Sequence, residues 1–231
     1  EKQKKKIFFN FIERRSKNEP IAYITGYKEF WKSKFKVNKN VLIPRPDTET
    51  IIEQVLNELA INSSKKILDI GTGSGCIIIS ILSERKRCFG VGIDISKNAV
   101  KLAKYNAKIQ HIDNRIKFLN SDIDNFYGDK YDLIISNPPY IKHHKINGLE
   151  KDIKNHEPKV ALDGGIDGYN KIRLIIEKSS TLIKKTGKLF LELGINQTIE
   201  TLKILNLNGF YKTKVIKDLA SKNRCIISTK I

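Results

Sequence analysis

Methionine is missing altogether from this 231-residue chain, which begins at Glu1. With no initiator residue, the sequence is expected to start inside a longer protein. Cysteine is scarce: Cys76, Cys88 and Cys225 stand far apart in apolar segments. An odd, dispersed set excludes a disulfide framework and a clustered zinc site. It leaves buried free thiols in a reducing compartment, and no metal is expected. No apolar run reaches the roughly 18 residues that span a bilayer. The basic start EKQKKK leads only into a short mixed stretch, unlike a secretory signal. A soluble protein without membrane attachment is expected. Internal repeats and low-complexity linkers are also absent. Acidic residues are few, 25 against 43 basic, for a net charge of +18. That balance invites a nucleic-acid reading. The lysines are scattered, however, with only residues 2–6 containing a real run, and lysine, isoleucine and asparagine abound everywhere, as an AT-rich coding sequence would produce. The charge favours steering towards an acidic or RNA-bound partner, and no stable nucleic-acid binding is expected.

What is present is enough chain for one α/β domain with a short appendage. Residues 4–17 place Ile7, Phe8, Phe11 and Ile12 on one helical face, and Glu19-Pro20 ends that helix. Residues 29–43 alternate apolar and polar around turn-forming Lys-Ser and Asn-Lys-Asn, which predicts a β-hairpin. After Pro44-Arg45-Pro46, a helix capped by Asp47 or Thr48 should run to about Ala60. From Lys65 strands and helices alternate. Strands are expected at 65–70, 88–95, 116–122, 131–137, 187–194, 211–218 and 224–231. Helices are expected at 75–85, 97–110 with Ser96 as N-cap, 169–184 and 197–207. Buried apolar strands in alternation with helices make a largely parallel sheet covered on both faces. The last two strands lack a helix between them, so one of them should run antiparallel.

Two motifs carry chemistry. Asp69-Ile70-Gly71-Thr72-Gly73-Ser74-Gly75 sits where a strand end enters a helix, the place where open α/β sheets bind ligands. Its glycines let backbone approach a ligand without a Cβ in the way. Alone, such a string is a weak signal, since any tight βα turn can contain it. Asp94 sharpens it by ending the next strand, where a carboxylate can take two ribose hydroxyls. Asp122 follows the third strand, within reach of an adenine amino group, and Ile123 can cover the adenine face. A P-loop would need Gly-Lys-Ser/Thr, which is missing, while a nicotinamide cofactor remains compatible with the first turn.

The second motif, Asn137-Pro138-Pro139-Tyr140, decides between them. A planar amino group conjugated to a carbonyl or ring has a delocalised, weakly nucleophilic lone pair. The Asn137 side-chain oxygen and the Pro138 carbonyl can each accept one of its N–H groups and aim the nitrogen at an activated methyl. Prolines stiffen the loop and remove competing donors, and Tyr140 offers a flat face for stacking. Positioning of this kind is worth about 7–11 kcal/mol in favourable cases. No strong general base is needed, because the proton can leave after methyl transfer. The expected fold is therefore α/β, a Rossmann-like S-adenosylmethionine-dependent methyltransferase with a seven-stranded, mostly parallel sheet and an antiparallel terminal strand.

Further strings point to one family. They are Pro20-Ile21-Ala22-Tyr23-Ile24-Thr25-Gly26, Leu42-Ile43-Pro44-Arg45-Pro46-Asp47-Thr48-Glu49, DIGTGSG, GIDIS, SNPPYI, Glu157-Pro158, the run from Ala161 to Gly168, and LELG. From about Phe11 to the end, the chain resembles the HemK/PrmC family, the release factor glutamine methyltransferases. The resemblance implies methyl transfer from S-adenosylmethionine to the side-chain amide nitrogen of a glutamine in a Gly-Gly-Gln motif. The substrate would be a class-1 peptide chain release factor, modified in support of translation termination. It places the cofactor on Asp69, Ile70, Gly71, Thr72, Gly73, Gly75, Asp94, Ile95, Asp122, Ile123 and Asn137. Catalysis falls to Asn137, Pro138, Pro139 and Tyr140, which also hold the glutamine, with Arg45, Pro46 and Glu49 at the substrate mouth. Arg45 can equally be read as a structural hinge.

The family carries a helical N-terminal domain that grips the release factor. Here residues 1–28 are expected to be its remnant with a linker, 29–46 the hairpin and 47–231 the catalytic domain. A monomer in the bacterial cytoplasm, or alternatively in an organelle, is expected. Blander readings attach to His143 and His144 as solvated loop residues without an acidic partner, to His156-Glu157-Pro158 as a lid or loop brace, and to Trp31 as hairpin packing. Glu192, ending a strand at the cleft, is read equally as site support or as structure. Two other functions compete: a nucleic-acid methyltransferase acting on the exocyclic amine of adenine, and a cofactor-binding scaffold without activity.

Overall fold

A computed structural model describes all residues 1–231. Helix α1 (Lys2–Ser16) ends before Pro20, and a short α2 (Ile21–Thr25) follows. The two are held by Arg14, whose guanidinium bonds Glu19 (2.8 Å from Nε) and the Tyr23 and Ile24 carbonyls. No residue of α1 is buried, and Phe8, Phe9 and Ile12 are exposed.

Strands β1 (Tyr27–Phe30) and β2 (Ser33–Lys36) form an antiparallel hairpin, shorter than the alternation over 29–43 predicts. Its turn is Trp31-Lys32, with Trp31 at φ 53°, anchored by Glu49 accepting from the Trp31 amide (2.7 Å) and Glu84 accepting from the indole (3.0 Å). Residues 37–43 are not a strand. Asn38 turns the chain, its side chain accepting from the Asn40 amide at 2.9 Å. Val37, Val41 and Ile43 then satisfy their apolar character by burial with Tyr23, Ala99 and Leu102. Burial against side chains, without strand pairing, explains the alternation.

Neither expected cap of the next helix is used. A 3₁₀ turn at Pro46–Thr48 leads into α3 (Glu49–Glu58) with no side-chain cap bond. Asp47 is occupied by Arg224 at 3.1 Å and Thr48 by Asn137 at 3.2 Å. Beyond α3 the alternation holds: β3 (Lys66–Ile70), α4 (Cys76–Glu84), β4 (Phe89–Asp94), α5 (Lys97–Ile109), β5 (Ile116–Asn120) and β6 (Tyr131–Ser136). Ser96 caps α5 as expected, its hydroxyl accepting from the Ala99 amide at 3.2 Å. A short α6 (Lys151–His156), which the apolar pattern does not announce, precedes α7 (Asn170–Leu182), β7 (Ile183–Glu192), α8 (Thr198–Leu207), β8 (Phe210–Lys217) and β9 (Asn223–Lys230).

The seven-stranded sheet has the order β5-β4-β3-β6-β7-β9-β8. Pairing is parallel from β5 through β7, and β9 is antiparallel to both neighbours. The expected antiparallel strand is thus the last in sequence, yet it lies inside the sheet between β7 and β8. Two buried clusters cover the faces. One joins α3, α4 and α5 to the sheet, and the other joins α7 and α8. Residues Cys76–Leu82 of α4 are all buried, as an apolar helix clamped between the sheet and α3 must be. All three cysteines are buried and free. No helix is long and apolar enough to cross a membrane.

The chain crosses from one side of β3 to the other between β5 and β6. The carboxyl ends of β3 and β6 therefore lie side by side at a topological switch point, with Ile70 paired to Ser136. Phe190 on β7 is fully buried. Phe190→Ala should lower unfolding stability by about 3–5 kcal/mol, read as a shift of the urea midpoint with an unchanged slope.

Candidate active site

Leaving β3, the backbone must turn sharply before α4, and it does so through left-handed residues. Gly71 has φ 73° and Gly73 φ 57°, and a Cβ built on Gly71 would meet nothing within 4 Å. Both carbonyl-side neighbours are fixed: the Gly71 and Thr72 amides donate to the Ile93 carbonyl at 2.9 and 3.0 Å. Asp94 ties this loop to the end of β4, accepting from the Gly73 amide (2.9 Å) and the Ser96 amide (2.8 Å). Burial raises its pKa. Each of its oxygens keeps a lone pair for a further donor.

Asp69 lies under the loop, fully buried. Its Oδ2 accepts from the Thr72 hydroxyl at 2.7 Å, while Oδ1 has no partner. Burial pushes its carboxyl up to about 7. An unmet buried acceptor costs about 1–3 kcal/mol, more if charged, so this oxygen calls for a donor, best a cationic one, arriving at the loop.

The opposite side is built by the end of β6. The Ser136 hydroxyl donates to the Ile70 carbonyl at 2.7 Å, and Asn137-Pro138-Pro139 follow into the cavity. The Asn137 Nδ2 donates to the Thr48 hydroxyl, which leaves the amide oxygen as the free end. Arg45 and the apolar Val41, Leu42 and Pro44 form a further wall, joined to the α6 region by Glu157. That side chain is 1% exposed; it pairs with Arg45 and accepts from the Ile43 amide at 3.3 Å.

Twelve expected positions line this one cavity: Arg45, Ile70, Gly71, Thr72, Gly73, Asp94, Ile95, Asp122, Ile123, Asn137, Pro138 and Pro139. The other five are off its wall, each for a visible reason. Asp69 is beneath the loop. Gly75 (φ 80°) is a packing glycine, since a Cβ there would stand 2.8 Å from Ile79 and 3.2 Å from Ala103 and Phe118. Pro46 starts the 3₁₀ turn, and Glu49 faces the hairpin, where the Trp31 amide claims it. Tyr140 packs against the core beside α7 and α8, its hydroxyl 3.4 Å from Glu192 and its carbonyl accepting from Gln197 at 3.3 Å. The expected stacking face is not part of the cavity wall.

Several contributors escape sequence reasoning. Thr48 touches Asn137 from 89 residues away, and its own string announced only a cap. Lys171, Val160, Ser121 and Ala99 also line the cavity. The Ala161–Gly168 run is a clamp on the Asn137 loop. The Ile141 amide donates to Leu162 at 3.0 Å, the Gly164 amide donates to Ile141 at 2.8 Å, and a Cβ on Gly164 would strike the Tyr140 backbone at 2.8 Å. His143 does have an acidic partner, contrary to its blander reading: its Nδ1 is 2.6 Å from Asp163. His144 is exposed, and His156 contacts the Lys17 carbonyl at 3.2 Å. Glu192 is 2% exposed, with its carboxyl 3.4 Å from the Tyr140 hydroxyl.

The methyltransferase small domain pattern matches residues 47–159. A release factor glutamine methyltransferase of Caulobacter vibrioides is 37% identical, the match covering 96% of this chain and 77% of that protein. One from Thermodesulfovibrio yellowstonii is 42% identical, covering 96% of this chain and 80% of that protein. Among solved structures, the hMettl16 catalytic domain, in complex with a 3′UTR hairpin, aligns with TM-score 0.70 and 17% identity, covering 85% of this chain and 75% of that one. A methyltransferase from Pyrococcus furiosus aligns with TM-score 0.59 and 17% identity, covering 85% and 88%. These structural likenesses establish the fold.

Burial pushes the Glu192 carboxyl up to about 7 from 4.5, against the lowering pull of Thr48 and Arg224. The folded state then holds a proton that the unfolded chain has released, so this group's contribution to stability falls as pH rises from about 4.5 to about 7. Glu192→Gln, which cannot ionise, should gain stability relative to the parent between pH 5 and pH 8. The relative gain should reach up to about 3 kcal/mol, read from urea unfolding at the two pH values.

Proposed function

This chain belongs to the release factor glutamine methyltransferases, and on that footing we propose that it transfers a methyl group from S-adenosylmethionine to the side-chain amide nitrogen of the Gly-Gly-Gln glutamine in a class-1 peptide chain release factor. The observation that carries the reading is the Asn137 carboxamide, anchored through its nitrogen to Thr48 with its oxygen left for a substrate donor. It stands beside the glycine loop, at the paired ends of β3 and β6.

The residues suit the cofactor. The unmet Asp69 oxygen matches the need for a cationic amino group, Asp94 has lone pairs left for ribose hydroxyls, and Asp122 with Ile123 offers an acceptor and an apolar face for adenine. When bound, the cofactor supplies a methyl group on a sulfonium that leaves as a neutral thioether. The chain's own task is to present the nucleophile. The Asn137 oxygen and the Pro138 carbonyl accept the two amide hydrogens, which turns the nitrogen lone pair away from them and draws electron density onto it. The rigid prolines hold this pair of acceptors at no entropic cost on binding. No carboxylate or imidazole is needed as a base, since the methylated amide sheds its proton readily. Arg45, braced by Glu157, gives the mouth a fixed cation.

In this reading residues 47–231 are the catalytic domain, and the exposed apolar residues of α1 lie in the part that grips the protein substrate. The bacterial relatives fit a role in the bacterial cytoplasm. An adenine amine presents the same two hydrogens, so methylation of nucleic acid is the reading to test against.

Incubation with labelled S-adenosylmethionine and a purified class-1 release factor should label that protein, with mass mapping placing one methyl on the Gly-Gly-Gln glutamine. Label entering RNA or DNA and never protein would reject the assignment. Asn137→Ala should reduce turnover below detection while changing the affinity for S-adenosylhomocysteine less than threefold by calorimetry. A large loss of cofactor affinity would mean that Asn137 serves the cofactor instead.

A further inference from the structure

An asparagine carboxamide has two ends of nearly equal size and opposite hydrogen-bonding sense. If the Asn137 group turned over, its NH₂ would face the incoming NH₂ of the substrate, donor against donor. The reaction read above therefore needs something that tells the two ends apart. Prolines on the same loop stiffen the backbone but do not act on the terminal torsion of Asn137, which is broad and close to two-fold.

We propose that Thr48 is a positioning residue that sets which end of the Asn137 carboxamide faces the substrate; the inference rests on the reading of Asn137 as the acceptor. Thr48 is 2% exposed, so water cannot replace its hydroxyl as a partner. Its Oγ1 lies 3.2 Å from the Asn137 Nδ2 and accepts that N–H. A hydroxyl can also donate, which would favour the reversed amide. Here its own hydrogen has a better destination: the buried Glu192 carboxyl is a neighbour of Thr48, and its Oε2 has no hydrogen-bond partner. A hydroxyl whose hydrogen turns towards that unmet oxygen has only lone pairs to offer Asn137.

Thr48 is itself held in register. Its amide donates to the Arg45 carbonyl at 3.1 Å, closing the 3₁₀ turn that Pro46 begins, and Asp47 is tied to Arg224. The segment Arg45–Thr48 thus presents a cation to the cavity mouth and, one turn later, a hydroxyl to the back of the acceptor. This gives the two motifs a direct physical connection.

Substitution separates this role from packing. Val keeps the volume and removes the hydroxyl, whereas Ser keeps the hydroxyl and loses the γ-methyl. Steady-state kinetics on the release factor, with calorimetric binding of S-adenosylhomocysteine, should show kcat at least tenfold lower in Thr48→Val, with KM and cofactor affinity within threefold of the parent. Thr48→Ser should recover kcat to within threefold. A loss confined to Ser, equal losses in both, or a kcat in Val within twofold of the parent would each overturn the proposal. Should the Val variant not fold, Thr48→Ala against Thr48→Ser isolates the hydroxyl alone, and at least a tenfold difference in kcat is expected. Equal kcat in that pair overturns it. The parent enzyme, assayed alongside, separates the two failures: no transfer to release factor by the parent overturns the function on which this rests, whereas normal transfer with an active Val variant overturns only the role of Thr48.

Discussion

The parallel pairing of β3 with β6 is the constraint on which the site depends. It sets Ile70 against Ser136, and the Ser136 hydroxyl closes on the Ile70 carbonyl at 2.7 Å, so the two loops leave the sheet from one fixed point. One loop is glycine-rich because its sharp turn runs through left-handed backbone at Gly71, Gly73 and Gly75. The other is proline-rich, which stiffens its backbone where it enters the cavity. In the proposed reaction neither loop suffices alone; the register between their strands brings the proposed cofactor shelf and acceptor pair to the same cavity. A slip of that register by one residue would turn every side chain on the strand to the other face.

Around this junction the remaining structure acts as a set of braces, most of them hydrogen bonds from distant segments. The Ala161–Gly168 run clamps the residues after Pro139 through the Ile141 and Gly164 amides. Gln197, from the turn before α8, bonds the Tyr140 and Gly168 carbonyls and the Gly194 amide. Glu157 fastens the wall made by residues 41–45. Buried bonds of this kind contribute only about 0.5–1.5 kcal/mol each to stability. Their larger effect is to leave the Asn137 loop a single arrangement, which is what a reaction driven by positioning requires.

Much of this was legible in the sequence where the signal is local. Ser96 caps its helix because a cap needs only the next three residues, and the strands from Lys66 to Glu192 show as continuous apolar runs because both of their faces are covered. The glycine loop, Asp94 and the Asn137 loop were legible because strand ends point ligands to known places. What could not be seen depends on partners far along the chain. The apolar alternation over 37–43 predicts a strand, yet those side chains are buried against α5. Thr48 and Asp47 look like caps until Asn137 and Arg224 are found opposite them. Tyr140 looks like a stacking platform, and Gly75 like a ligand contact, until the neighbouring side chains occupy their space. The place of β9 within the sheet is likewise a matter of pairing, on which a period of two is silent.

The buried carboxyls show what the arrangement sacrifices. Asp69 and Glu192 are both excluded from water, and each has one oxygen without a partner. Burial raises both towards neutrality, to about 7. A chain selected for stability alone would place apolar side chains at two such positions, since unmet buried acceptors weaken the fold. Their locations give the reason to keep them. Asp69 lies under the glycine loop, bonded to Thr72 through its other oxygen, and the Glu192 carboxyl stands 3.4 Å from the Tyr140 hydroxyl, so each carboxyl adjoins one of the two loops that β3 and β6 bring together. Among the buried side-chain atoms without a partner these two are the only carboxylate oxygens, and both carboxyls adjoin the site, as expected where a polar group is retained for chemistry rather than for packing.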